Sequence, residues 1–348
     1  MQNDPSRQIN SEFYLPVSEF DSEFADGGIL LDFDSMRSNH PYLLQLVEQN
    51  LLSLRRGIGH FRIDPCVEIK FCLSGGAQSP AYVTIVKGRY VIGMSTEAID
   101  GLWEVAQGVT TFPGLRESLG WLDNPENINA VAILTFLQAL SFIIYHELTH
   151  VAHGHLAVLE MIREGVRVEI PHDEVLTRRT LEYDADAGAL EIYLFDWFDR
   201  RSKGMPTQDY GSVDLCRAVV GPLVACKFLE GLKKPRALND QDLYEPGAYR
   251  TLNMLEVFSK VLASRLTREG AVEELSKEIA ERVVLPIESY METLYKARTP
   301  FIELIVAGRP LWETSKRQLE ARWARIRPQM QAAKLCQRNL APATVDPA

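Results

Sequence analysis

A chain of 348 residues, 46% apolar and 24% charged, can bury a substantial core, as one large domain with a helical extension or as two domains. Its formal charge of −10 argues against a nucleic-acid binder, which would carry a basic stripe. The clusters Arg200-Arg201-Ser202-Lys203 and Lys233-Lys234-Pro235-Arg236 are short and read as solvated helix ends.

Residues 1–40 mix acidic residues, Gly27-Gly28 and isolated aromatics, and give no defined fold. A helix is expected over Pro41–Arg56, then strands over Val67–Leu73, Tyr82–Val86 and Arg89–Met94. The last two flank Lys87-Gly88, a tight turn with glycine where a positive φ is needed, which predicts a β-hairpin. A short helix, Thr96 to Gln107, follows, with Ser95 or Thr96 as its cap. Asn124-Pro125-Glu126 has the make-up of a helix start: a capping side chain, proline in the first turn, then an acidic residue. The apolar run behind it predicts a helix buried on nearly every side. Pro171-His172-Asp173-Glu174 opens a helix to Asp199, and further helices are expected over Val213–Leu232, Ala248–Leu266, Val272–Lys296 and Leu311–Leu340. The expected fold is therefore α+β and mainly helical, with a small N-terminal antiparallel sheet or hairpin packed on the buried helix. It divides into an arm (1–40), a core (41–255), a helical C-terminal region (256–340) and a disordered tail (341–348).

Five scattered cysteines, Cys66, Cys72, Cys216, Cys226 and Cys336, form no Cys-x-x-Cys pair, so neither a disulfide framework nor a thiolate metal site is expected. The N-terminus lacks the basic-then-apolar order of a signal peptide. The longest apolar stretch, Ala130–Tyr145, falls short of the roughly 20 residues that cross a bilayer. These features together predict a reduced, soluble, cytoplasmic protein without a membrane span.

The chemistry lies at the end of the buried helix, in His146-Glu147-Leu148-Thr149-His150. Histidines four apart sit about 40° around and one turn along a helix, so both imidazoles can reach one tetrahedral Zn²⁺. Glu147 is then beside the metal without ligating it, placed to take a proton from a metal-activated water. A third protein ligand is needed. Leu156 stands where a metzincin has its third histidine, which directs attention to the next helix, Leu181-Glu182-Tyr183-Asp184-Ala185-Asp186-Ala187-Gly188-Ala189-Leu190. There Glu182 and Asp186 share a face, and the adjacent Ala185 and Ala189 permit close approach to the zinc helix. Glu182 is the expected ligand, and Asp186 the acceptor for the free ring N–H of a ligating histidine. The plainer reading pairs Glu182 with Arg178 or Arg179 on the helix surface. Asp184 points elsewhere on the helix. His153 lies about 10 Å beyond His146, too far for the same metal; it either touches substrate or, the preferred reading, ends the helix, as His155 does. His40, His60 and His172 are taken as structural or surface histidines.

His-Glu-Leu-Thr-His followed by Gly154-His155 and by Glu182-Tyr183-Asp184-Ala185-Asp186 resembles the gluzincin pattern of the HtpX and CAAX-prenyl-protease-like zinc peptidases over residues 80–255. Soluble phage-exclusion peptidases of the Lit type and repressor-cleaving peptidases of the ImmA type are also comparable. The resemblance implies Glu182 as third ligand and Asp186 behind it. Relatives carry a later His-Pro-Pro-x-x-x-Arg segment, matched here by Tyr244-Glu245-Pro246-Gly247-Ala248-Tyr249-Arg250, with tyrosine for the histidine. By that resemblance Tyr244 or Arg250 steadies the oxyanion; otherwise each is a helix-start residue. The expectation is a Zn²⁺-dependent metallopeptidase acting on a protein or peptide substrate, with the Tyr82–Met94 hairpin as the edge that binds it as an added strand. The alternatives are a non-catalytic, metal-stabilised helical interaction protein and a zinc hydrolase of a non-peptide bond.

Overall fold

The computed structural model describes residues 29–31, 41–75, 79–121, 124–163, 174–202, 211–231, 247–264, 271–295, 309–338 and 340. The arm apart from 29–31, the helix start Pro171-His172-Asp173, Tyr244 and the tail 341–348 lie outside them.

The fold is α+β and mainly helical. Its elements are β1 (Ile29–Leu31), α1 (Pro41–Phe61), β2 (Ile69–Gly75), β3 (Ala81–Val86), β4 (Arg89–Ser95), α2 (Thr96–Thr111), α3 (Pro113–Ser118), α4 (Pro125–Ala152), α5 (His155–Arg163), α6 (Glu174–Ser202), α7 (Ser212–Gly231), α8 (Gly247–Ala263), α9 (Ala271–Ile279), α10 (Leu285–Tyr295) and α11 (Arg309–Ala333). A π-helical turn, Ala280–Val284, joins α9 to α10, so the expected helix over 272–296 forms with one wide turn inside it.

Local signals place several boundaries. Ser95 Oγ accepts from Ala98 N at 3.0 Å and caps α2. Asn124 Oδ1 accepts from Asn127 N at 2.8 Å, and Pro125 opens α4. The hairpin forms at Lys87-Gly88, both with positive φ (50° and 78°), as a two-residue hairpin turn of this hand requires.

The sheet corrects one expectation. Its order is β1-β2-β4-β3, with β2 and β4 paired in parallel, so it is mixed rather than antiparallel. Burial supplies the reason: β2 and β4 are the strands with continuous buried runs and take the centre, while half-exposed β3 takes an edge. The chain therefore passes from β2 to the edge strand and returns by the hairpin into the middle.

Helix α4 is the axis of the molecule. It is surrounded by α1, α2, α6 and α7, with β3 alongside, and every residue from Ala139 to Ala152 is buried. At 28 residues it outruns the uninterrupted apolar stretch, and by length and composition alone it could cross a membrane (mean hydropathy 1.9), with 56% of that window buried within the protein. Next to the first zinc-motif histidine, Tyr145 donates to Asp196 of α6 at 3.1 Å, and Asp196 also binds Arg56 of α1 and Arg200. The last helix, α11, ends at Ala333 rather than Leu340. From there the chain runs as a strap in which Leu335 N donates to Ala152 O (2.9 Å) and Gln337 N to Arg62 O (3.1 Å). These long-range partners, invisible in helical periodicity, take over from the helix.

Helices α4 and α6 pack closely at Gly188, where an added Cβ would lie 2.7 Å from Thr149 Cγ2. Gly188→Ala is therefore expected to lose about 1–3 kcal/mol of stability by overpacking, partly offset by up to about 1 kcal/mol of helix propensity. In a Thr149→Ala background the same methyl fills vacated space and should stabilise. Urea denaturation of the four variants measures this coupling, and additive effects would show that the contact does not set the helix spacing.

Candidate metal centre

The last two turns of α4 carry His146, Glu147 and His150, and the third and fourth turns of α6 carry Glu182, Asp184 and Asp186. Close approach at Gly188 brings the two sets together in a desolvated space. His146 Nε2 and His150 Nε2 stand 3.2 Å apart, and Glu182 places Oε2 3.4 Å from the first and Oε1 3.6 Å from the second. Donors around a tetrahedral zinc at about 2.0–2.1 Å stand about 3.3–3.4 Å from one another. The three side chains thus fit one metal ion, as their mutual distances independently indicate. Of the two arginines that a surface pair with Glu182 would use, Arg178 pairs instead with Glu174 at 2.8 Å.

Contacts behind the ligands orient the first ring. His146 Nδ1 donates to Asp186 Oδ1 at 2.9 Å, which leaves its Nε2 as the lone pair facing Glu182 and His150. Asp186 is gripped in turn by Arg250, whose Nε and Nη2 donate to its two oxygens at 2.7 and 2.6 Å. Arg250 lies in the first turn of α8, is buried, and borders the cleft. The partner suggested with it from sequence, Tyr244, lies outside the described residues.

The histidines read as helix ends are more than that. His155, fully buried at 0% exposure, has Nδ1 2.8 Å from His150 Nδ1 and Nε2 3.0 Å from Asp184 Oδ2. His153 Nδ1 meets the same Asp184 oxygen at 2.5 Å. Asp184 does point away from Glu182 and Asp186, and it points at these rings. Sequence reasoning missed them because His155 lies past the end of α4, where helical spacing no longer relates it to His150. The available signal was two further histidines within five residues of the motif.

The electrostatics favour a cation. Burial alone would raise the Glu182 carboxyl, but His146, His150 and Arg250 hold it down to about 2. Asp186, against Arg250 and His146, and Asp184, against His153 and His155, are likewise held below the usual carboxylate range despite burial. Burial lowers His146, yet Asp186 and Glu182 outweigh it and push the imidazole up to about 10. Burial dominates at His150 and takes it well below the ordinary histidine value. Glu147, 8% exposed, is pushed up to about 7 by burial, against the opposing pull of His146. The three carboxylates are held ionised by the cationic or proton-donating groups beside them, a charge pattern in which a dication can take the place of the His146 proton.

The centre opens on a cleft of about 550 Å³ bordered by Ser79–Ile85 of the β3 side, by Leu156 and Leu159 of α5, and by Glu147. No family model matches this sequence, and no curated protein or solved structure shows significant similarity to it.

Replacing Asp186 by Asn is expected to weaken zinc binding ten- to a hundredfold, because His146 loses its anionic anchor. It should also lower the stability of the metal-free protein by about 3–5 kcal/mol, because Arg250 loses its buried partner. Competition with a chromophoric chelator and denaturant unfolding measure the two effects; wild-type affinity would show that His146 needs no anchoring.

Proposed function

We propose that this chain is a zinc-dependent peptidase that holds its metal through His146, His150 and Glu182 and uses Glu147 as general base. The observation that carries the reading is the joint placement of two ring nitrogens 3.2 Å apart, with one Glu182 oxygen 3.4 Å from the first and the other 3.6 Å from the second, and Glu147 at the same cleft. A purely structural site has use for the ligands and none for a buried glutamate between them. When bound, the zinc ion supplies Lewis acidity, polarising a carbonyl and lowering the pKa of a water from about 16 to about 7.

The chain's own residues account for the rest. β3 is the edge of the sheet, with its far side unpaired among the described residues. Ser95 N donates to Pro80 O, and the tight turn closes on the pair Val86–Arg89, so residues 80, 82, 84 and 86 bond to β4. The N–H and C=O groups of Ala81, Val83 and Ile85 therefore point to the free edge beside the cleft. An extended peptide pairing with them is held straight across Glu147. Glu147 takes one proton from the attacking water and delivers it to the leaving nitrogen as the C–N bond breaks, so that peptide and water become acid and amine. Burial, which raises the Glu147 carboxyl to about 7, suits it to both halves of that transfer. Arg250, with Nε and Nη2 committed to Asp186, is assigned to hold the anchor of His146.

Purified protein is expected to hold about one zinc per chain. Glu182→Ala should weaken binding at least a hundredfold, and Glu147→Gln should keep the metal while losing about 10²–10⁴ of peptide turnover. Full turnover in Glu147→Gln, or a wild type that takes up no zinc, would refute the reading. For strand addition, N-methylating alternate amides of a cleaved peptide should raise KM at least tenfold in one register and leave it unchanged in the other. Equal KM in both registers would remove β3 as the binding edge.

A further inference from the structure

The arrangement behind His150 differs from that behind His146, and we infer that His155 and Asp184 form a hydrogen-bond chain that fixes the tautomer and orientation of His150, as positioning residues for the second metal ligand. This rests on the metal-site reading above and adds the means by which the second ligand is set. His150 Nδ1 faces another ring nitrogen, His155 Nδ1, at 2.8 Å, so one proton lies between them and one of the two must accept.

The far end of the chain decides which. His155 Nε2 faces a carboxylate oxygen of Asp184 at 3.0 Å, and a carboxylate only accepts. The single N–H of a neutral His155 is thus on Nε2, its Nδ1 is bare, and the shared proton sits on His150. That leaves the lone pair of His150 on Nε2, the atom 3.2 Å from His146 Nε2 and 3.6 Å from Glu182 Oε1. With the opposite polarity the proton would occupy His150 Nε2 and block ligation.

The fold holds this relay from several sides. Gly154, between α4 and α5, has φ +76°, and a Cβ there would lie 2.4 Å from the Ala333 carbonyl oxygen. The strap after α11 closes over the turn through Leu335 N to Ala152 O. His153 shares the Asp184 oxygen and packs edge-on against Phe61. His153, His155 and Asp184 could instead be ligands of a second ion. Two separations argue for protons: ring nitrogens at 2.5 and 3.0 Å from one oxygen are hydrogen-bond partners, whereas ligands of one tetrahedral zinc stand about 3.3–3.4 Å apart.

The test uses the full chain. His155→Phe keeps the ring and removes both nitrogens; zinc affinity, by chelator competition, should fall ten- to a hundredfold, and the visible spectrum of the Co²⁺ form should shift. His155→Asn puts an amide oxygen near the place of Nδ1 and should recover affinity to within about threefold of wild type. A long-range ¹H–¹⁵N correlation spectrum of zinc-loaded wild type reads the tautomers without any variant. Nδ1–H on His150 and Nε2–H on His155 are expected, and the reverse overturns the inference. So do wild-type affinity and Co²⁺ spectrum in His155→Phe, affinity in His155→Asn no better than in His155→Phe, or a second zinc equivalent lost in that variant. Those outcomes leave the first site standing, whereas a wild type that binds no zinc overturns both readings.

Discussion

The centre depends on the close packing of α4 against α6, which the missing side chain of Gly188 permits beside Thr149. That packing places three carboxylates of α6 against His146 and His150 of α4 and against His153 and His155 just beyond its end, largely buried at the foot of the cleft. Burying carboxylates in this way is strongly unfavourable unless each meets a hydrogen-bond donor or positive charge. Asp186 meets His146 and Arg250, Asp184 meets His153 and His155, and Glu182 faces the two ring nitrogens that also face each other. Widening the helix spacing by the size of a methyl group would strain all of these distances together.

The same constraint explains why α6 carries acidic residues at 182, 184 and 186. Residues four apart share a helix face, so Glu182 and Asp186 address the ligand side of α4. Residues two apart lie about 200° around, so Asp184 reaches rings that the other two cannot. One helix thereby offers a candidate metal ligand, Glu182, and carboxylates that anchor histidines on two sides. The other supports come from far along the chain: Arg250 from α8, and the strap after α11 that closes over the Gly154 turn. The hydrophobic core cluster likewise includes residues from Leu51 to Cys336.

Much of this was legible in the sequence where the determining interaction is local. The caps Ser95 and Asn124, the Lys87-Gly88 turn and the apolar α4 each rest on neighbours within a few residues. The spacing of His146 and His150, and that of Glu182 and Asp186, is geometry internal to a helix. Burial of the motif was expected from the composition of α4, since a helix apolar on nearly every side lies in a core or in a membrane.

What the tertiary structure alone decided are features whose partners are remote. The parallel pairing of β2 with β4 joins residues 21 apart, such as Ile69 and Tyr90, and the end of α11 at Ala333 follows from bonds to residues 62–64 and 152. The clamp of Arg250 on Asp186 joins residues 64 apart in sequence, and the meeting of His155 with Asp184 joins residues 29 apart. The sequence by itself determined the longer helices, the hairpin and which side chains could ligate a metal, because helical and strand periodicity are short-range. How those side chains are anchored was decided by packing, because a buried charge takes whatever partner the fold brings within reach, and sequence distance does not limit that choice.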